Sequence, residues 1–566
     1  MGGIAMKFNK ANSKKLRYGG VTAVLTALII VAVLIVNVIF SALAQKLIWY
    51  KDLTPELLFT LSDNCVDLLK NGDPTFENST SIISRIDEDR AAKRAEDPGF
   101  QDKDLTVRLI FCDERDAWEG NNYMRYVYET ARQLEAEFPD YIQIENVDIV
   151  WNPSAVSKYG STINKTDVIV AYGSQYRLRT LHSFYLYNEG EEETPWAYKG
   201  EKILASSILA VTRADSPIAC ITVNHQEEWD SGNGQELLNV LDLAGYQVQR
   251  LNLEQEEIPE KCRLVVVFNP YKDFREADGL SDIDEIAKLD AFLDGANALM
   301  VFQSPAAGEL TVFESFLAEW GIAFDRTEEG GNSYSHMVQD TTQSLSVADG
   351  GFTFKADYVT QGLGGQVTEE LRARSATYPT VVFKNAMPIS YSDQFSHAHY
   401  TDEEDSSISF DYGSLSVDGY TRNVYDIFVT SASAVATANG SVAERATANN
   451  PLTLMAISRE DHSVQESNFF TSEDSAYVMV CGSVEFAYNT ALGNDSYGNG
   501  AFLEYALRNM GQEPVPVGLT MKPFGDYTID SITTREATQY TVTLTVIPAV
   551  LAIGVGIFVI VRRKYR

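Results

Sequence analysis

The residues best placed to do chemistry in this 566-residue chain are His225-Gln226-Glu227-Glu228. They directly follow the apolar run Pro217 to Val223, which reads as a strand, and doubly wound α/β sheets hold their ligands just beyond the carboxyl ends of such strands. An imidazole beside two carboxylates could ligate a metal or relay a proton. A zinc-protease helix would need a second histidine four residues after the first, and Trp229 occupies that place, so the run reads as a polar turn open to a ligand or partner. His397-Ala398-His399 would set two imidazoles on one face of a strand, but no third ligand is evident in the sequence, and an exposed loop is expected.

Cys481 is the one cysteine that follows a strand-like run and precedes a glycine, in Val480-Cys481-Gly482-Ser483, as a nucleophile on a strand-to-helix elbow would. No His-x-Glu pair follows it at a convincing position and the flanking glycines of an elbow are missing, so packing or a plain turn is expected. The other cysteines, Cys65, Cys112, Cys220 and Cys262, are widely separated, with no CxxC pair. That spacing implies neither a zinc ribbon nor a disulfide framework. No Gly-Lys dipeptide occurs, which excludes a P-loop and hence an ATPase role. The expectation is a chain that is not an enzyme, with no catalytic residues, cofactor or metal.

The elements that must position these residues are α/β. Alternation at Leu105, Val107, Leu109 and Phe111 predicts a strand, helical spacing of Tyr123, Val127, Leu134 and Phe138 a helix, and Ile142 to Ile149 a second strand, giving a small β-α-β domain over 105–213. A second α/β domain over 214–515 alternates strands at 217–223, 247–251, 263–268 and 298–302 with helices of about ten residues, among them one capped by Ser281, which implies a doubly wound parallel sheet. Residues 325–431, rich in Gly, Ser, Tyr and Thr, read as a β-rich insertion on that sheet. The stretch 44–104 reads as a juxtamembrane stalk, with helix starts at Asp52–Glu56 and Leu61–Asn64, followed by a mobile charged insertion.

Both ends are apolar. Residues 19–43 lack any charge and are preceded by Lys7, Lys10, Lys14, Lys15 and Arg17; residues 542–561 lack any charge and run into Arg562-Arg563-Lys564 and Arg566. Each is long enough at about 1.5 Å per residue to cross a bilayer core of about 30 Å. The basic flanks predict a two-pass protein of the cell membrane, with cytoplasmic tails at 1–18 and 562–566, a linker at 516–541 and a large extracytoplasmic domain. Cleavage before Gln45 is the rival expectation, because Ala42-Leu43-Ala44 fits a signal-peptidase site. The chain has 45 basic and 79 acidic residues, and nine of the basic ones lie in the tails, so the part between carries −43. Such a surface repels nucleic acid.

The order and spacing of several short motifs resemble the gliding-motility GldG-like family of auxiliary components of ABC-2 type transporters, whose ectodomain is related to a domain of an intraflagellar transport protein. They are Asp52-Leu53-Thr54 and Thr60-Leu61-Ser62 after the first apolar run, Asp148 with Asn152-Pro153 and Lys158-Tyr159-Gly160, His225 to Glu228 followed by Gly245-Tyr246, and Ile258-Pro259. Asn269-Pro270, Phe292-Leu293 with Gly295, Trp320-Gly321-Ile322, Thr430-Ser431 and Gly482-Ser483 with Phe486 continue the pattern. The chain departs from it where Asn224-His225-Gln226-Glu227 replaces Gly-His-Gly-Glu and where Ala296 replaces a second glycine. The resemblance implies a non-catalytic membrane subunit that works with an ABC-2 permease, its ATPase subunit and membrane lipid. The competing expectation is an extracytoplasmic amidotransferase-like hydrolase or ligand sensor on the same sheet.

Overall fold

The computed structural model describes residues 52–525, apart from 53, 55, 74–80, 161, 188–193, 214–215, 228, 230–231, 278–281, 347, 374–377, 403–406, 418–419, 468–469, 495, 512–518 and 520, and in the flanks 24, 27–28, 30–40, 538–539, 543 and 546–564. The chain divides into two units, Met1–Lys522 and Pro523–Arg566.

The first sheet is ordered β2-β1-β3-β4, with β1 (Val107–Phe111) parallel to β2 (Ile142–Asn146) and antiparallel to β3 (Val168–Tyr172), which pairs antiparallel with β4 (Gln175–Arg179). Two helices precede it, α1 (Asp63–Asn71) and α2 (Ile82–Glu96). The crossover from β1 to β2 is α3 (Asn122–Glu137), capped by the Asn121 side chain, which accepts from the Tyr123 and Met124 N–H groups. It buries Val127 and Leu134 as their spacing requires. On β3 all five residues are buried, and α4 (Gly200–Val211), itself buried along nearly its whole length, packs against it.

Two expectations for the stretch before this sheet need correction. Residues 82–96, read as part of a mobile insertion, are the helix α2. Ser81 accepts from the Ser84 N–H at its start, and Ile82, Ile86 and Arg90, four apart on one face, are buried. Arg90 is anchored by donating to the Leu105 and Asp140 carbonyls at 3.1 and 2.6 Å, which satisfies the one cation on that face. Conversely no helix begins at Asp52: the described residues there form turns, and Leu57 at φ 51° leaves the helical region.

The second sheet holds β5 (Ile218–Thr222), β6 (Gln247–Leu251), β7 (Cys262–Phe268) and β8 (Ala298–Phe302). After it the hairpin β9 (Arg326–Glu329) to β10 (Asn332–Ser335) turns through Gly330 and Gly331, both at positive φ as a tight two-residue turn demands. A small sheet then forms from β11 (Met337–Gln339), and long strands follow at β12 (Ser396–Thr401), β13 (Ser409–Val417) and β14 (Tyr420–Val429). Strands β15 (Val435–Ala438) and β16 (Ser441–Arg445) complete the small sheet in the order β11-β15-β16. Last come β17 (Thr453–Ser467) and β18 (Phe470–Cys481).

The main sheet is therefore mixed. Its parallel half runs β6-β5-β7-β8-β18, and from β18 the order continues antiparallel through β17, β14, β13 and β12. The stretch 325–431 is thus not simply an insertion on a parallel sheet, since β12 to β14 extend the sheet itself. Antiparallel neighbours need only short turns, which is why the helix-strand rhythm disappears there.

Helices cover both faces of the parallel half. On one, Ala219 and Ile221 meet Leu237 and Leu241 of α5 (Gln235–Leu243), with Phe502 and Leu503 of a late helix, Asn499–Gly511. On the other, Ile218 and Cys220 meet Leu289 and Leu293 of α6 (Glu285–Asp294) and Phe313 and Leu317 of α7 (Thr311–Glu319). The cap of α6 is Asp284, which accepts from the Ala287 N–H at 2.8 Å; Ser281 lies outside the described residues.

Residues 30–40 are helical, and α8 spans Ile547–Lys564 in the second unit. Among the described residues no helix is long and apolar enough to cross a membrane. The spans expected at 19–43 and 542–561 are therefore unsupported at that level, and 19–23, 25–26, 29, 41–43, 542 and 544–545 lie outside the described residues.

Candidate functional site

Strand β5 has β6 on one side and β7 on the other, so the carboxyl ends of β5 and β7 meet where the strand order reverses, the usual ligand crevice of such a sheet. His225 sits there, three residues past the end of β5. The backbone around it is unusual: Asn224 and Gln226 have φ of 98° and 58°, and Asn269, just past β7, has 49°. Asparagine tolerates that region better than most side chains.

The crevice is filled by the protein itself. The His225 carbonyl accepts from the Tyr271 and Lys272 N–H groups at 2.9 and 2.8 Å, which ties the two strand ends together. Its Nδ1 faces Glu227 Oε1 at 3.1 Å and its Nε2 faces both oxygens of Glu285 at 3.1 and 3.2 Å. The ring stacks on Phe274, with centroids 3.9 Å apart and 7° between planes. Glu285 Oε2 also accepts from the Arg275 N–H, and Glu227 Oε2 from the His225 N–H. Burial alone would push the histidine down, but the hydrogen bonds to Glu227 and Glu285 outweigh it and raise it to about 9. The same contacts hold Glu227 below the usual carboxylate range against the upward push of its burial.

Both ring nitrogens thus carry protons donated to carboxylates. Neither has a lone pair for a metal, and the ring, wholly buried, has no face for a substrate. Of the four residues singled out in the sequence, the structure joins His225 to Glu227, leaves Gln226 exposed, and does not describe Glu228. Glu285, sixty positions on, is the partner that sequence reasoning missed.

The other sequence candidates are equally occupied. The Cys481 thiol ends β18 fully buried and donates to the Ser483 carbonyl at 3.2 Å, and burial pushes its pKa far upward. A protonated, enclosed thiol is not a nucleophile. A Cβ on the next residue, Gly482, would lie 2.0 Å from the Met387 carbonyl, so glycine serves close backbone packing there. His397 and His399 are exposed, as expected, but on the edge strand β12 rather than a loop; His399 bonds Asp411 at 2.7 Å and Ser409 at 3.1 Å.

Two further constellations emerge only from the fold. The first joins the motifs Asp52-Leu53-Thr54 and Thr60-Leu61-Ser62 to the start of α4. Asp52 accepts from the N–H and hydroxyl of Thr54 at 2.9 and 2.6 Å and from the Phe59 N–H at 2.7 Å, and these bonds overcome its burial to hold it below the usual range. Ser62 donates its hydroxyl to Glu201 at 2.6 Å while capping α1. Lys522 donates to the Leu57 and Thr60 carbonyls, at 2.8 and 2.5 Å, and to Glu201. Glu201, 4% exposed, is therefore the clasp between chain near residue 60 and chain at residue 522. Asp73, just past α1, pairs with Arg508 in the same way.

The second constellation brings Asp325, His336 and Glu444 together, with one ligand-type atom of each within 4.8 Å of the others. A cleft of about 560 Å³ also opens beside α5, where Arg177 and Arg179 of β4 both pair with Asp242.

No protein-family model and no curated protein matches the chain. Among solved structures it is similar to the mmIFT52 N-terminal domain, at 13% identity and a TM-score of 0.32, over 52% of this chain and 96% of that one.

Proposed function

We propose that this chain is a non-catalytic, membrane-anchored auxiliary subunit of an ABC-2 type transport system, held at 19–43 and 542–561 with both tails cytoplasmic and the α/β body outside. The observation that carries this reading is the pair of charge-free apolar stretches, each flanked by basic residues on its outer side. Their described residues expose apolar side chains as no soluble surface does: Val33, Leu34, Val36 and Val38 are 59–68% exposed, and Leu551, Ile553 and Phe558 62–63%.

The Glu201 clasp supports the same reading. It fastens Ser62, which follows the first apolar stretch in sequence, and Lys522, which precedes the second, to one buried carboxylate. The motifs resembling GldG-like components supply half of that clasp. The hydrolase alternative lacks an accessible nucleophile in Cys481, and the sensor alternative meets a switch-point crevice filled by His225 and its partners.

Protease added to spheroplasts checks the topology. Cleavage within 100–520 that spares tagged tails is the expected outcome; protection of the whole body, or a mature N-terminus at Gln45, would contradict it.

A further inference from the structure

We infer that Asp325, His336 and Glu444 form a binding site for one divalent transition-metal cation of the zinc class, independently of any role in transport. The hairpin of β9 and β10 builds two of its three positions. Asp325 and His336 flank that hairpin on either side, and the His336 N–H donates to the Asp325 carbonyl at 3.1 Å. The sheet β11-β15-β16 brings Glu444 beside them from more than a hundred residues away.

The imidazole is arranged as a ligand. Its Nε2 lies 2.9 Å from the Thr327 hydroxyl, whereas Nδ1 is enclosed and has no hydrogen-bond partner among the described residues; the residue is 8% exposed. With Nε2–H donated to Thr327, Nδ1 keeps its lone pair. That is the outer-shell pattern of metal-bound histidines, in which the second nitrogen is fixed by a hydrogen bond. Asp325 is oriented too, because its Oδ1 accepts from the Ser390 hydroxyl at 2.8 Å, leaving Oδ2 for a cation. An unpartnered buried imidazole nitrogen otherwise forfeits a hydrogen bond, and a cation bound there removes that loss.

The donor set selects the metal. One imidazole and two carboxylates suit zinc or manganese better than magnesium or calcium, which prefer oxygen alone. Zinc bonds of about 2.0–2.2 Å place tetrahedral ligand atoms about 3.3 Å apart, so the three groups close by roughly 1.5 Å, a movement that the half-exposed Glu444 side chain can supply. The fourth position falls to water. Bound there, the ion would fasten the β9–β10 hairpin to β16.

The test uses the full chain in mild detergent, stripped with chelator and dialysed against zinc chloride. One zinc per chain is expected at micromolar zinc. Glu444→Gln should weaken binding at least tenfold, His336→Ala a hundredfold or more, and Thr327→Val, which touches no metal, about tenfold through the orientation of His336. His399→Ala, which alters the exposed histidine-carboxylate pair with Asp411, should leave binding unchanged. Glu444→Gln and Thr327→Val are conservative changes at half-buried positions, so a thermal melt will show them folded. Less than half an equivalent of zinc, or binding that survives both His336→Ala and Glu444→Gln, would overturn the assignment.

Discussion

Burial ordinarily strips a histidine of its proton, and His225 keeps its own only because Glu227 and Glu285 approach both ring nitrogens. The sign of the consequence is definite. A group whose pKa rises from about 6.5 unfolded to about 9 folded adds stability that is complete below about pH 6.5 and is lost as pH climbs through about 9. The full effect is on the order of 3 kcal/mol. Chemical unfolding of the wild type should therefore show stability falling between pH 6.5 and 9, and His225→Gln should be less stable at pH 6 but with a flatter slope. Equal slopes in the two proteins would remove the imidazolium from the account. That this histidine stands at a sheet edge could be read from the strand before it. Its partner Glu285 could not, because nothing local marks an acidic residue at a helix start as buried. Asp325 and His336 were closer to legible: Gly330-Gly331 signals a tight hairpin, and such a hairpin sets the positions flanking its strands opposite each other. Glu444 carries no such signal, since only strand pairing brings it near.

Caps and periodicity account for most of the helices that could be foreseen. A helix does start within Leu61–Asn64, where Ser62 caps α1 by accepting from the Cys65 N–H at 3.2 Å, and Val127 and Leu134 do face the core. Helix α2 escaped notice because its buried face is narrow, two isoleucines and an arginine among many charges. The individual strands β12 to β14 escaped because their half-exposed, Ser- and Tyr-rich faces lack the apolar runs that betray parallel strands. Ala296 departs from the expected glycine yet keeps the left-handed φ, 54°, that makes glycine the easier residue after α6. At this level the Glu201 clasp makes the sharpest demand. Glu201→Gln leaves the Lys522 ammonium, 12% exposed, without its anionic partner, a change that costs about 3 kcal/mol in comparable buried pairs. Hydrogen exchange of the amides at 57–65 should accelerate at least tenfold in that variant, while those of β5 and β7 stay slow. Unchanged protection at 57–65 would mean that the clasp does not hold the arm.

The part between the apolar ends carries −43, which disfavours nucleic acid, and on the proposed topology the partner would lie in the membrane. On the proposed reading two apolar helices would not by themselves enclose a transport path. On the same reading an ATPase would be reached through a polytopic permease. Purification of the tagged full chain from its native membranes in mild detergent tests this most directly. The account predicts that a multi-helix ABC-2 permease and its nucleotide-binding subunit come with it, and that the association is lost when 19–43 or 542–561 is replaced by an unrelated apolar anchor. Recovery of the chain alone in several mild detergents, with behaviour unchanged after both anchors are replaced, would contradict it.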